Sequence, residues 1–367
     1  MKGNVALAEA AVRAGCRFFA GYPITPQTEI MEYLSSRMAK AGGVFIQSES
    51  EVSAVNMLYG ASTSGYRVMT STSGPGFSLM QAGISYLASM NMPAVIADIC
   101  RYGSGIGLIS PGQSDYLQVT KGGGHGDYKL LVYAPHTVQE SVDLIGLAFD
   151  KAEEYMNPVI MLSDGAIGQM MEGVELPEFS KVDPDKPWVL KGADAEHARN
   201  LYTGSFDGPE NDQKLRAKYE LMAGNEQRWE AINTQDAEIV LVSYGISSRV
   251  CKRAVKLGRE QGIKLGLLRP ITLWPFPVLP FKELRETARA FLSVEMSAVG
   301  QLIEDVALSV KGMKPVYVLP TGMTPPKEKQ VLEMVYLDGE NQYGTADALG
   351  ITQGRVSQII KKYVKTN

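Results

Sequence analysis

Strand-sized apolar runs alternate with helix-sized amphipathic stretches through the first half of this chain, and that alternation restricts its fold more than any other feature. The runs lie at 17–21, 44–47, 67–71, 94–100, 129–133 and 158–163. Helical periodicity fills 51–64, 76–89 and 138–155 between them. Strands separated by helices pair in parallel, so the expected fold class is α/β with a doubly wound parallel sheet. Ligands on such sheets sit at the carboxyl ends of the strands. Chemistry is therefore expected in the loops after Gly21, Gln47, Ser71 and Cys100.

The pattern carries a first domain over 1–176. Residues 177–235 change character, with Pro177, Pro184 and Pro187 followed by a charged stretch, and read as a linker ending in an exposed helix. A second α/β domain is expected over 236–322. EIVLVSYG, LGLLRP, AFLSVEM and PVYVLPTG are its strands; SSRVCKRAVKLGREQG and GQLIEDVALSVKG are its helices, each closed by a C-capping glycine. The tail, 323–367, is different again. Its QYGTADALGITQGRVSQIIK places Ala346, Gly350 and Val356 at the small, turn and core positions of a helix-turn-helix, and the segment resembles the DNA-binding tail of sigma factors. Its charges nearly balance, whereas a DNA reader carries a basic face. A small helical tail that packs is favoured over one that binds DNA.

Composition narrows the function classes. Of 367 residues, 21% are charged and 45% apolar, with net charge −4, so neither nucleic acid nor a membrane is expected as the main partner. No apolar run approaches the ~20 residues that span a bilayer. The N-terminal MKGNVALAEAAVRAGC reads as an amphipathic helix and not as a secretory signal, which leads to the expectation of a cytoplasmic protein. Cys16, Cys100 and Cys251 are widely spaced and form no CxxC, so no iron–sulfur or structural zinc site is expected on this chain; buried, reduced thiols are. With only His125, His136 and His197, neither a histidine metal site nor a Ser-His-Asp triad is expected.

Four segments at the expected sheet edge carry candidate chemistry. GYPITPQTEI, 21–30, offers Thr25 in a loop that Pro23 and Pro26 stiffen; its hydroxyl faces a ligand or caps the following helix. QSESEVSAVNMLYGAS, 47–62, puts Glu51 in a first helical turn, where the helix dipole favours a carboxylate able to hold a proton on a heterocyclic nitrogen. The alternative is a capping box, with Ser48 as cap and Glu51 reaching back. STSGPGFSLM, 71–80, sets Gly74, Pro75 and Gly76 before a helix, so backbone can approach a ligand; the Lys-Ser/Thr of a Walker loop is missing. Arg101, in DICRYGSGIG, suits a carboxylate bidentately or forms a surface ion pair. A fifth segment, GQSDYLQVTKGGGHGDYK, is a long glycine-rich loop. Its Lys121, His125 and Asp127 are candidates to reach the active site or a partner subunit, against the simpler reading of loop structure.

In this order and spacing, GYPITPQTEI, QSESEVSAVNMLYGAS and TSTSGPGFSLM resemble the α subunit of the 2-oxoacid:ferredoxin oxidoreductases, which are thiamine-diphosphate enzymes. Glu51, eight intervening residues and Gly60 are similar to a spacing found in thiamine enzymes at large. The segments GISSRVCKRAVKLGREQGIKLGLLRPITLWPFP and SVEMSAVGQLIEDV resemble that family's second domain, and KGGGHGDY is most similar to its branched-chain (3-methyl-2-oxobutanoate) group. The resemblance covers 1–322. It implies a pyrimidine-binding domain at 1–176 and a transketolase C-terminal-like domain at 236–322. It implies that Glu51 is catalytic and pairs with the aminopyrimidine N1′, that Pro26, Gly74, Pro75 and Gly76 line the cofactor, and that Thr25 and Arg101 hold the 2-oxoacid. Family neighbours often read RGGP where this chain reads RYGSG, which leaves the shape of the loop after Arg101 open.

The implied reaction is oxidative decarboxylation of a 2-oxoacid to acyl-CoA and carbon dioxide, with coenzyme A as co-substrate and electrons passing to ferredoxin. The family's GDG…Asn motif for Mg²⁺ and diphosphate has no counterpart; Ser163-Asp164-Gly165 reads as an ordinary strand end. A β subunit is therefore expected to bring the diphosphate site, Mg²⁺ and a [4Fe-4S] cluster. A γ subunit, a ferredoxin-like δ subunit and dimerisation of the whole heteromer are further expectations. Alternatives are a 2-oxoglutarate or pyruvate enzyme and, from another class, a metabolite-sensing regulator that binds DNA through its tail.

Overall fold

The structure, a computed structural model, describes residues 1–190, 208–325 and 327. The expected helix-turn-helix at 342–361 lies outside them. In chain order the elements are α1 (Gly3–Arg13), β1 (Cys16–Gly21), α2 (Thr28–Lys40), β2 (Val44–Gln47), α3 (Glu51–Ser62), β3 (Arg67–Thr72), α4 (Pro75–Ser89), β4 (Ala94–Tyr102), β5 (Leu108–Pro111), α5 (Tyr116–Thr120), β6 (Leu131–Tyr133), α6 (Val138–Tyr155), β7 (Pro158–Asp164), α7 (Gly165–Gln169) and α8 (Gly208–Asn225). They continue with β8 (Trp229–Ile232), β9 (Ile239–Val242), α9 (Gly245–Glu260), β10 (Leu265–Pro270), β11 (Thr272–Trp274), α10 (Phe281–Thr287), β12 (Ala290–Glu295), α11 (Leu302–Val310) and β13 (Val316–Pro320).

They form two compact units. Of the described residues, those in 1–227 with 272–276 make the first; 228–271 and those from 277 on make the second. The sheet of the first unit runs β11-β6-β7-β4-β3-β1-β2. β1, β2, β3, β4, β6 and β7 are parallel, while β11 lies antiparallel on β6 and β5 antiparallel on β4. Helix α1 packs on α2 and α6, and α3 packs on α4, giving the two helical layers of a doubly wound fold. β4 is central and buried from Ala94 to Arg101, so its sequence reads as a nearly continuous apolar run. Asp98 and Arg101 interrupt that run, and both matter below.

The second unit has a sheet in the order β13-β12-β9-β10-β8, parallel except for β8, which is antiparallel to β10. Leu241, Val255, Leu267, Leu292 and Val294 are part of its core. The fully buried Glu295 accepts hydrogen bonds from the N–H groups of Gln301 (2.7 Å), Leu302 (3.2 Å) and Ile303 (3.3 Å), and from the hydroxyls of Ser293 and Ser297. The amino end of α11 is thus closed by the chain's own carboxylate.

Three strands, β5, β8 and β11, were not expected. Each has three or four residues and pairs antiparallel with its neighbour, too short for a period-2 pattern to stand out. In the stretch 177–235, read as a linker ending in an exposed helix, the structure has the helix α8 and then the strand β8. Cys16, Cys100 and Cys251 are buried free thiols. Among the described residues no helix is long and apolar enough to cross a membrane.

Candidate functional site

The loops at the carboxyl ends of β1, β2, β3 and β4 meet at one edge. The first, 22–27, follows β1. Its buried Gln27 accepts a 2.6 Å hydrogen bond from Ser71 Oγ on β3 and donates to the Tyr22 carbonyl (3.0 Å). Beneath it, Asn4 Nδ2 donates to the Pro26 carbonyl at 2.7 Å. The Thr25–Pro26 peptide is cis. Gln27, not Thr25, stands at the cap position of α2, and no side chain caps that helix. Thr25 is exposed at the rim, so the alternative of a capping threonine is corrected.

Glu51 opens α3 and is buried, 5% exposed. The proposed capping box does not form. Ser50 is the cap, accepting from the Ser53 N–H (3.2 Å), while Ser48 Oγ donates to the Gly21 (3.1 Å) and Ser50 (2.9 Å) carbonyls. Capping thus falls to the residue before Glu51, and the Glu51 side chain lies against the third loop. There Gly76 is indispensable by its shape. A methyl group at Gly76 would collide with Thr72 Oγ1 and come within 2.6 Å of Glu51 Oε1. Gly74 has φ +47°, a conformation side chains other than glycine's resist.

Arg101 ends the buried run of β4 and is 8% exposed. Its Nη1 donates to the Thr25 carbonyl at 3.1 Å and its Nη2 to the Ile106 carbonyl; its Nε is buried without a partner. The side chain passes along Gly74, within 3.4–3.6 Å of where a β-carbon would stand there. Among the described residues it forms no ion pair, which corrects the surface ion-pair alternative. A buried guanidinium resting on neutral carbonyls is a receptor for an incoming carboxylate. The loop after Arg101, divergent in sequence, folds as a hairpin in which β5 pairs with β4 and Gly103, Gly105 and Gly107 take positive φ.

Thr25, Pro26, Glu51, Gly74, Pro75, Gly76 and Arg101 therefore share one sheet edge. Lys121, His125 and Asp127 do not join them. Lys121 follows α5, and all three are exposed. Tyr128 pins their loop by accepting from the N–H groups of Gly123 (3.3 Å) and Gly124 (3.0 Å) and donating to Gln81 Oε1 (3.2 Å). His125 and Asp127 line a separate cavity of about 320 Å³ with Ser85, Asn91 and Lys218. Ser85 lies in the third turn of α4, roughly 15 Å along the helix from its amino end.

Sequence reasoning missed two residues behind the Gly74 loop, Asp98 and Asp115, 0% and 5% exposed. Neither oxygen of Asp98 has a hydrogen-bond partner, nor has Asp115 Oδ2. Burial, and then the charge of Asp115, push the Asp98 carboxyl well above the usual range; burial also raises Asp115, opposed by hydrogen bonds from Cys100 and Gln118. The available signal was a carboxylate inside an apolar strand, since buried charges need a reason. With its carboxyl raised in the fold, Asp98 binds a proton more tightly than in the unfolded chain, where the pKa is about 3.9. Its contribution to stability therefore falls by about 1.4 kcal/mol per pH unit as pH rises from that value to the folded one. Asp98→Asn should lack this decline, so its unfolding midpoint should gain on wild type as pH rises above about 4. A constant offset across that range would contradict a buried, protonated Asp98.

Comparison with known proteins follows the same architecture. The family model "pyruvate flavodoxin/ferredoxin oxidoreductase, thiamine diP-binding" matches residues 9–242, and "pyruvate:ferredoxin oxidoreductase core domain II" matches 237–324. Sigma-70 region 4 matches 325–365. Ketoisovalerate oxidoreductase subunit VorB of Methanothermobacter marburgensis is 49% identical over 84% of this chain and 89% of its own length. 2-Oxoglutarate synthase subunit KorA of the same organism is 36% identical over 87% and 93%. Among solved structures, 2-oxoglutarate:ferredoxin oxidoreductase from Magnetococcus marinus, with 2-oxoglutarate, coenzyme A and succinyl-CoA bound, superposes with TM-score 0.80 at 25% identity, covering 91% of this chain and 64% of that one. A split-gene transketolase (TM-score 0.55, 14% identity) shares the fold.

Proposed function

Since this chain belongs to the pyruvate flavodoxin/ferredoxin oxidoreductase family, we propose that it is the α subunit of a CoA-acylating 2-oxoacid:ferredoxin oxidoreductase whose acid is branched, 3-methyl-2-oxobutanoate. One observation carries the assignment to chemistry: a buried carboxylate, Glu51, and a buried guanidinium without an ion pair, Arg101, flank one glycine loop at the strand edge. The branched acid is supported by the 49% and 48% identity to ketoisovalerate oxidoreductase subunits, against 36% for a 2-oxoglutarate synthase subunit. Matched relatives are named as subunits, and the working enzyme is a hetero-oligomer. Within it, a β subunit would carry the diphosphate site, Mg²⁺ and an iron–sulfur cluster, with γ and ferredoxin-like δ subunits and ferredoxin beyond.

The residues fit the pyrimidine end of thiamine diphosphate. Thr72 Oγ1 and Ser73 Oγ are buried without partners, and the missing side chain of Gly76 lets Glu51 and Thr72 close up against that loop. Glu51 would accept the ring nitrogen's proton, with Pro26, Gly74, Pro75 and Gly76 lining the cradle. When bound, the cofactor supplies a carbon nucleophile and an electron sink. Arg101 would fork onto the carboxylate of the 2-oxoacid, and the Thr25 hydroxyl would donate to the same acid.

Gly76→Ala should cost about 1–3 kcal/mol through overpacking and push Glu51 aside. The purified complex should then retain a small fraction of the wild-type thiamine diphosphate; full retention would show that the cradle lies elsewhere. The functional test is viologen reduction by the native complex with coenzyme A, giving 3-methyl-2-oxobutanoate, 2-oxoglutarate and pyruvate separately. Preferential turnover of the branched acid is expected. Preference for 2-oxoglutarate would correct the substrate, and no turnover with any acid, from a complex that holds its clusters and thiamine, would overturn the enzyme assignment.

A further inference from the structure

We propose that behind the Gly74 loop Asp98 is held as a neutral acid and Asp115 as an anion, and that Asp115 is a positioning residue for Arg101. The inference rests on the function proposed above. Asp98 sits in the middle of β4, level with Thr72 on β3 and Leu162 on β7. It is fully buried, and neither oxygen meets a donor at hydrogen-bonding distance. A carboxyl in that setting holds its proton, because an ionised one would face both desolvation and a second carboxylate.

Asp115 differs. Its Oδ1 accepts a 2.5 Å hydrogen bond from Gln118 Nε2, the Cys100 thiol lies beside it, and the positive charge of Arg101 acts on it. Burial raises both carboxyls, but the groups that favour the anion gather on Asp115. Two carboxyls whose surroundings push them apart settle into one acid and one anion. The other titratable groups near Asp98 are accounted for. Cys100 is a fully buried thiol kept neutral by burial and by the two carboxyls. Asp164 on β7 caps α7 through the Ile167 N–H (3.0 Å), and Glu51 lies beyond Thr72.

The anion is tied to the substrate loop. Gln118, held by Asp115, also donates to the Gly74 carbonyl (3.4 Å) and accepts from Ser78 Oγ (2.9 Å). Gly74 in turn is the surface along which Arg101 lies. Asp115 therefore fixes the loop from behind and opposes the charge of Arg101 before any acid arrives. If Asp98 also ionised, two negative charges would stand behind that loop and compete with the substrate carboxylate.

The test compares wild type, Asp98→Asn and Asp115→Asn as intact complexes over a pH series. Asp115→Asn should raise the KM for the 2-oxoacid by at least about tenfold with a smaller change in kcat, as loss of a seat for Arg101 requires. Asp98→Asn, a neutral isostere of the acid, should keep wild-type KM at neutral pH and abolish the rise of KM at alkaline pH. Difference infrared spectra should show a protonated-carboxyl band in wild type that Asp98→Asn removes. An unchanged KM in Asp115→Asn, or an alkaline rise or carboxyl band that survives in Asp98→Asn, would overturn the assignment. The Asp98→Asn arm decides alone if Asp115→Asn does not assemble. Wild type that fails to turn over any 2-oxoacid would instead overturn the functional reading, and this assignment with it.

Discussion

Glu51→Gln is expected to lower kcat by roughly 10²–10⁴-fold, the range that proton transfer by a positioned side chain contributes, while the complex still assembles and still holds its thiamine diphosphate. The glutamine keeps the shape and removes the charge. It should not unsettle α3, because Ser50 provides the cap and Glu51 is not part of it. Nor should it crowd the Gly76 loop, since the amide has the volume of the carboxylate. What is lost is an anionic acceptor, buried at a helix amino end where the dipole favours negative charge. The check is steady-state viologen reduction beside a measurement of cofactor content in the same preparation. Activity within a factor of about ten of wild type, at full cofactor content, would show that Glu51 does not handle the proton.

Why Glu51 was legible in the sequence and Asp98 was not follows from how each is built. Glu51 sits in a contiguous signal: a strand end, small polar residues, then a helix, with a glycine loop one βα unit later. Parallel βα units fix where such loops emerge, so the loops after Gly21, Gln47, Ser71 and Cys100 are expected at one edge from the sequence alone. The Asp98–Asp115 pair depends on the hairpin that folds β5 back on β4. That hairpin has no alternation to announce it: β5 reads LISP, exposed at Leu108 and Ile109. The glycine-rich loop with His125 is the opposite case. Its composition resembles a site, but Tyr128 holds it against Gln81 on α4, away from the strand ends. Composition reports what a loop can do, whereas its anchor determines where it goes.

Arg101→Lys is the second large expected effect, and Thr25→Val separates it from its surroundings. Lysine keeps the positive charge but cannot span the two carbonyls, of Thr25 and Ile106, on which the guanidinium rests, nor offer a planar fork to a carboxylate. Breaking a buried, hydrogen-bonded charge contact costs about 2–5 kcal/mol, which at about 1.4 kcal/mol per decade means thirty-fold to several thousand-fold in kcat/KM. Retained charge places Arg101→Lys toward the lower end, with most of the loss in KM for the 2-oxoacid. Thr25 holds Arg101 through its main-chain carbonyl, so Thr25→Val leaves the arginine seated and removes only the hydroxyl. A hydrogen bond to a charged group contributes about 1.5–3 kcal/mol, and Thr25→Val should therefore lose roughly 10–150-fold. If that hydroxyl contacts the acid, the two losses should be less than additive in the double variant, because both groups grip one ligand. Full additivity, or a Thr25→Val enzyme with unchanged kcat/KM, would place the hydroxyl outside the substrate contact and leave Arg101 to hold the acid without it.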